Sequence, residues 1–101
     1  MFDAWREIDQ AVRRLAKRRA RLDVEEAALL LAARSAEVHR HLGMGSFEEY
    51  LERVLGYSPR KARERMRAAE ALQVLPRVRG ALEEGALSWS AVREVTRVAT
   101  P

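Results

Sequence analysis

The sequence contains no cysteine, which excludes disulfide bonds and thiolate metal sites and suits a cytoplasmic protein. Aromatic residues make up only 6% of the 101 residues, and no alternating run rich in β-branched residues occurs, so we predict no strand. The uncharged run from Ala27 to Ala33 is far too short to span a bilayer. The N-terminus carries acids and Trp5 within charged sequence, unlike a signal peptide.

The residues that dominate the chain are alanine, leucine, arginine and glutamate, which all favour helices. Hydrophobic residues make up 48% and charged residues 34%, as in a folded domain with a modest core. We therefore predict an all-α fold, a compact bundle of about six helices.

Positive charge is concentrated in two blocks of the sequence. Residues 1–22 hold seven Lys/Arg against three acids, and residues 58–79 hold seven against two. Residues 23–57 hold three against seven, and residues 80–101 hold two against three. Clustered positive charge is typical of a surface that meets a polyanion.

The stretch at about 46–72 has the outline of a helix-turn-helix. Ser46 can cap a first helix with Glu49 completing a capping box, and Gly56 can end that helix in the left-handed conformation. Ser58 can cap a second helix, with Pro59 at its first position. Two helices joined by about three residues centred on glycine match this DNA-binding motif.

The second helix of this motif separates small residues from arginines. Its predicted inner side holds Ala62, Met66, Ala69 and Gln73, with Leu72 at the margin. We expect its outer residues to contact phosphates or base edges, because arginine can pair bidentately with guanine and glutamate can accept from cytosine. The candidate DNA-binding residues are Ser58, Arg60, Lys61, Arg63, Glu64 and Arg67. The acidic outer face of the first helix, formed by Glu48, Glu49 and Glu52, argues against DNA lying close to it.

Residues 1–22 predict a basic amphipathic helix that Asp3 caps and that ends near Ala20. Its narrow apolar stripe consists of Trp5, Ile8, Val12 and Leu15. A solvated basic face, a contact with nucleic acid or an acidic partner, and a dimerising helix are all open for this segment. A second basic contact would use Arg13, Arg14, Lys17, Arg18 and Arg21.

Residues 23–101 predict the remaining helical domain. We expect a break at Arg21–Asp23, a new capping box of Asp23 and Glu26, and a central core helix that carries Leu29, Leu30 and Leu31 and runs to about Leu42. Gly43 would stop this helix. Leu75-Pro76 and Gly85 would bound a further helix, and Ser88 would cap the last one, with Val92, Val95, Val98 and Ala99 facing inwards.

Five segments of the chain together resemble a helical domain of uncharacterised function that occurs N-terminal to HNH endonuclease domains in many bacterial proteins. These segments are Leu42–Tyr50, Leu55–Arg65, Leu72–Pro76, Ala81–Ser88 and Val92–Pro101. A Gly-x-Ser turn, a helix, Leu-Pro and Leu-x-x-Gly-x-Leu-Ser also look like the helix-turn-helix region of ParB-type partition proteins. That likeness implies that Pro59 to Leu72 is a recognition helix. Both likenesses imply DNA as the partner.

The residues needed for HNH catalysis are missing from this sequence. An HNH site needs a histidine base and further His/Asn ligands around a metal-held phosphate. The chain has no asparagine, and His39 and His41 lie two residues apart, so they cannot chelate one metal from a helix. Gly43-Met44-Gly45 lacks the lysine of a phosphate-binding loop. We expect no catalysis, metal, cofactor or small-molecule ligand here, and we interpret the chain, which ends at Pro101 just after a helix, as a fragment of a longer protein.

Two functions remain open from the sequence. The first is a DNA-binding module, the non-catalytic N-terminal part of an HNH endonuclease-like protein. The second is a protein-interaction or oligomerisation module without nucleic-acid contact, for which a homodimer through the N-terminal helix is the simplest form.

Overall fold

A computed structural model describes residues 4–98 of the chain, with side chains for residues 4–94. Within residues 4–98 the chain is all-α and has six helices, which confirms the predicted fold class. The helices are α1 (Ala4–Ser35), α2 (Val38–His41), α3 (Phe47–Leu55), α4 (Pro59–Val74), α5 (Pro76–Glu83) and α6 (Trp89–Val98). The predicted cap Asp3 and the inward-facing Val95, Val98 and Ala99 lie outside the described backbone or side chains.

Helix α1 runs without interruption through the predicted break at Arg21–Asp23, so that prediction was wrong. Neither glycine nor proline interrupts this segment, and its alanines, leucines and arginines favour a continuous helix. The carboxylates of Asp23 and Glu26 pair with Arg65 of α4 instead of capping a new helix. The acids at positions 23 and 26 are therefore explained by the arginine that faces them from α4.

The predicted extension of this helix to Leu42 was also wrong, because α1 ends at Ser35. Glu37 adopts a left-handed conformation with φ +52°, and the chain then forms the single turn of α2. The change of direction brings α2 against α3, where the His39 ring meets the Phe47 ring edge-on at 5.9 Å. Gly43 ends α2 at φ +75°.

The helix boundaries around the α3–α4 turn follow local chemistry as predicted. Ser46 Oγ accepts a hydrogen bond from Glu49 N at 3.1 Å as predicted, but the Glu49 carboxylate accepts from Gly45 N at 2.8 Å rather than from the Ser46 N–H that a capping box uses. Gly56 ends α3 at φ +71°, and Ser58 Oγ accepts from Lys61 N at 3.2 Å above the first turn of α4.

The later boundaries are confirmed as well. Helix α5 begins at Pro76, and Gly85 follows its end at φ +79°. Ser88 Oγ caps α6 by accepting from Ala91 N at 3.2 Å.

The C-terminal half of α1 and helix α4 form the centre of the core. One cluster joins α1, α4, α5 and α6 through Ala20, Ala27, Ala69, Leu72, Leu82 and Val92. A second joins α1 to α3 and α4 through Leu30, Leu51, Tyr57 and Ala62. The alanines allow α1 and α4 to approach closely. Leu30 is buried as the predicted core helix requires, but Leu29 is exposed, contrary to that prediction.

The buried face of α4 is rotated relative to the predicted one. Ala62, Ala69 and Leu72 are buried as expected, but Gln73 is exposed and Ala68 is fully buried. At about 100° per residue, this rotation places Arg65 near the middle of the inner face.

The N-terminal half of α1 extends beyond the core, and the fold measures 59 × 30 × 20 Å along its principal axes. Every side chain from residue 4 to residue 19 is exposed. Among the described residues, no helix is long and apolar enough to cross a membrane.

Candidate nucleic-acid interface

Arg65 of α4 connects three helices through its guanidinium. Its Nη1 lies 2.9 Å from Asp23 Oδ1 and 3.3 Å from Glu26 Oε2, both on α1. The guanidinium carbon also lies 3.9 Å from the ring centroid of Trp89, the first residue of α6. The three charged side chains are only 14%, 22% and 23% exposed, so this ion pair is largely shielded from water. Arg65 therefore holds α4 and α6 in position against α1.

Tyr57, in the turn before α4, joins the same cluster. Its hydroxyl donates a hydrogen bond to Glu26 Oε1 at 2.5 Å. Burial raises the pKa of Tyr57 to about 12, and the hydrogen bond to Glu26 adds to this because it stabilises the protonated phenol. Glu26 thus accepts from Tyr57 with one oxygen and pairs with Arg65 through the other.

Sequence reasoning missed Arg65, although the helical periodicity contained a signal. Arg65 is three residues from both Ala62 and Ala68, which are buried on α4. An arginine on the buried face of a helix requires carboxylate partners, and Asp23 and Glu26 were assigned to a capping box instead.

The predicted DNA-binding residues on α4 have different surroundings. Ser58 Oγ is used by the helix cap, as described above. Arg60 lies 3.5 Å from Glu64, and Arg63 lies 3.8 Å from Glu48 of α3. These pairs are weak because the arginine side chains are mostly in solvent.

The other two cations of the set also face solvent. The Lys61 ammonium lies 4.8 Å from the Tyr57 ring centroid. Arg67 is exposed and has no carboxylate partner among the side chains that the structure describes. Each of the four predicted cations of α4 is therefore accessible.

Two grooves on the surface bring the basic sequence blocks together, and Trp89 contributes to both. The groove between α4 and α6, which we call the α4 groove, has a volume of about 430 Å³. Its lining consists of Ser58, Arg60, Lys61, Glu64, Arg65, Trp89 and Arg93. The neighbouring α1 groove, of about 650 Å³, lies between α1 and the segment from Gly85 to Trp89, and its basic lining residues are Arg13, Lys17 and Arg19.

Only part of the predicted basic set on α1 reaches this groove. Arg13 and Lys17 line it, whereas Arg14, Arg18 and Arg21 lie on the other side of the helix at about 100° per residue. The sequence prediction did not include Arg19, because the segment that forms the other wall of the groove could not be identified from the sequence.

The acidic face of α3 lies beside α4 at Arg63, where Glu48 makes its contact. Glu49 caps Gly45 and also pairs with Arg53 at 2.9 Å, so its charge is partly neutralised. Arg63 does not line the α4 groove. The acidic helix thus borders the edge of α4 that the grooves do not use.

No three His, Cys, Asp or Glu side chains among the described residues are placed to share a metal ion. A family model described as "Domain of unknown function (DUF222)" matches residues 9–100 of the chain. The searches of curated proteins and of solved structures found no match.

Proposed function

The chain belongs to the DUF222 family of domains of unknown function, and we propose that it is a DNA-binding module of a cytoplasmic bacterial protein. In this proposal α3 and α4 form a helix-turn-helix, and the domain itself carries no catalytic residues. Its likeness to domains that precede HNH endonuclease domains further suggests that it is the non-catalytic N-terminal part of such a protein.

The observation that carries this proposal is the meeting of the α4 groove and the α1 groove at Trp89. Residues from the two basic blocks, which are about forty residues apart in the sequence, line adjacent concave surfaces. A duplex contacts a protein mainly through phosphates, so a basic surface of this kind is suited to it.

Several of these cations are available for phosphates. Lys17 and Arg19 have no carboxylate partner among the side chains described, and Arg60 has only the weak pair with Glu64. Binding DNA therefore does not require a strong ion pair within the protein to break. About six phosphate contacts would give a slope of log affinity against log salt of roughly −5.

The position of the acidic helix is compatible with this proposal. DNA that lies over the grooves meets Arg60 and Lys61 on the α6 side of α4, whereas Glu48 lies near Arg63 on the α3 side. This geometry favours the α6 side of α4 as the DNA-facing edge and gives Arg63 a smaller role than the sequence indicated.

A second candidate function is a protein-interaction or oligomerisation module without nucleic-acid contact. The exposed stripe on the N-terminal half of α1 favours it, because soluble domains rarely leave such a row of large apolar side chains uncovered. Measuring DNA affinity separates the two candidates.

The test is fluorescence anisotropy of a labelled duplex titrated with the full chain over a series of salt concentrations. We expect binding at low salt that weakens steeply as salt rises. Lys17→Gln and Lys61→Gln, one from each groove, should each reduce the salt slope by about 1. Arg18→Gln is the matched control, since Arg18 is the neighbour of Lys17 and does not line the α1 groove. Absence of binding at low salt, or an equal effect of Arg18→Gln and Lys17→Gln, would contradict the proposal.

A further inference from the structure

The exposed apolar side chains of α1 follow a seven-residue repeat. Ile8, Leu15, Leu22 and Leu29 are spaced seven apart, and Trp5 and Val12 each precede one of them by three residues. All six are 40–65% exposed. The repeat extends over the helix only because α1 continues through Asp23, so the predicted break concealed its second half.

A seven-residue repeat of this kind is the pattern of two helices that wind around each other. Apolar residues at alternating spacings of three and four form one stripe along the helix, which we call the seam. In a coiled coil this seam faces the partner helix along the whole contact. The N-terminal half of the seam is formed by Trp5, Ile8, Val12 and Leu15, which are exposed and belong to neither of the two core clusters. Within the described chain, then, the seam has no occupant.

We propose that a second copy of this chain occupies the seam and that the two α1 helices pair in antiparallel orientation. Val12 of each copy packs opposite Leu15 of the other, and Trp5 packs opposite Leu22. The paired stretch from residue 5 to residue 22 is about 27 Å long. Arg19 lies both in the seam and in the α1 groove, so the pairing is tested without DNA.

Charge complementarity selects the antiparallel orientation. Arg19 occupies a seam position between Leu15 and Leu22. In a parallel pair in register, Arg19 would face Arg19 of the other copy, and two like charges would meet in the seam. In the antiparallel pair Arg19 lies beside Ile8 and Asp9 of the other copy, so its guanidinium meets a half-exposed carboxylate, which pairs with the mostly exposed Arg13 of its own helix at 3.0 Å.

The antiparallel orientation also separates the folded parts of the two copies. Among the described residues, Ala20 is the first buried residue of α1 and belongs to the core cluster that joins α1 to α4, α5 and α6. In the antiparallel pair the two Ala20 residues lie on opposite sides of the seam's centre. The two cores then sit at opposite ends of the paired helices.

The first experiment is sedimentation equilibrium of the full chain, without DNA, from micromolar to millimolar concentration. We expect the apparent mass to rise with concentration from 11.5 kDa towards twice that value. A mass of one chain at every concentration overturns the proposal, and so does a limiting mass above two chains.

Two valines provide a matched pair of variants. Val12 in the seam and Val54 on α3 are both helical and both 56% exposed. Val12→Lys should weaken self-association at least tenfold, whereas Val54→Lys should leave it unchanged. Circular dichroism of both variants checks that helix content is retained. Equal effects of the two substitutions overturn the assignment to α1.

A charge exchange tests the orientation. Arg19→Asp should weaken the dimer, because it places an aspartate beside Asp9 of the other copy. Asp9→Arg alone also breaks the 3.0 Å pair with Arg13 of its own helix, so both single variants are measured as controls. The double variant should bind at least tenfold more tightly than either single variant, since the exchanged charges again attract. If the double variant associates no better than Arg19→Asp alone, the antiparallel pairing is refuted.

Discussion

Replacing Arg65 by alanine tests whether the buried cluster holds the helices together. The substitution leaves Asp23 and Glu26 without their cation while both are mostly shielded from water. Removing one partner of a buried ion pair costs about 3–5 kcal/mol. The two carboxylates retain about a fifth of their exposure, and water can solvate them in part, so we expect a loss of about 2–4 kcal/mol, including the lost stacking on Trp89.

This loss is large for a chain of this length. A domain of 101 residues has a free energy of unfolding of about 5–15 kcal/mol. Urea unfolding followed by circular dichroism measures the change as a shift of the midpoint at constant slope. The matched control is Arg63→Ala. Arg63 is exposed, and its ion pair with Glu48 is weak because the two groups are as far as 3.8 Å apart. That variant should lose no more than about 0.5 kcal/mol.

Two further variants show which property of Arg65 matters. Arg65→Lys keeps the charge but removes the planar group that stacks on Trp89 and meets two carboxylates, so it should fall between the original chain and Arg65→Ala. Asp23→Asn should lower the free energy of unfolding less in the Arg65→Ala background than in the original chain. Without Arg65 the Asp23 carboxylate has lost its cation, so neutralising it removes an unfavourable charge. If Arg65→Ala and Arg63→Ala differ by less than about 1 kcal/mol, the cluster does not stabilise the fold as described.

Two further predictions concern the turn before α4. Because the pKa of Tyr57 rises from 10.0 to about 12, its neutral phenol stabilises the fold fully below pH 10, and this contribution is lost as the pH rises towards 12. Urea unfolding at several pH values should show this decline in the original chain but not in Tyr57→Phe, and parallel curves for the two would contradict it. Gly56→Ala should cost about 1–2 kcal/mol in the same assay, purely from the left-handed backbone at φ +71°, since no atom lies within 4 Å of the added Cβ. If the urea midpoint of Gly56→Ala equals that of the original chain, the backbone at residue 56 adjusts without strain and the prediction is wrong.

Local sequence signals predicted the helix ends well where a single side chain or glycine decides them. Ser46, Ser58 and Ser88 each bond a backbone N–H three residues ahead, and Gly56 and Gly85 adopt positive φ. These interactions span only a few residues, so the local sequence already contains both partners.

The same signals failed where the deciding partner lies far away in the chain. Asp23 and Glu26 match a capping box, but their partner is Arg65, about forty residues later. Glu37 follows the end of α1 in a left-handed conformation, although this position holds no glycine that would have predicted the helix end. The choice there follows from packing α2 on α3 through His39 and Phe47.

The candidate interface divides in the same way. Two of its cations on α4, Arg60 and Lys61, were among the residues predicted from the sequence, whereas Arg63 and Arg67 were predicted on the same outer side but do not line the groove. Which cations of α1 join them could not be predicted, because Arg13, Lys17 and Arg19 line a groove whose other wall is the segment from Gly85 to Trp89.

By itself, the sequence determined the helical class, the capped and glycine-terminated boundaries and the two blocks of positive charge. These depend on composition and on contacts within about one helical turn. Only the tertiary structure decided that α1 is continuous, that Arg65 is buried between two carboxylates and Trp89, and that the two basic blocks meet. Burial and ion pairing depend on which helices pack together, and that packing is set by the whole chain rather than by any one segment.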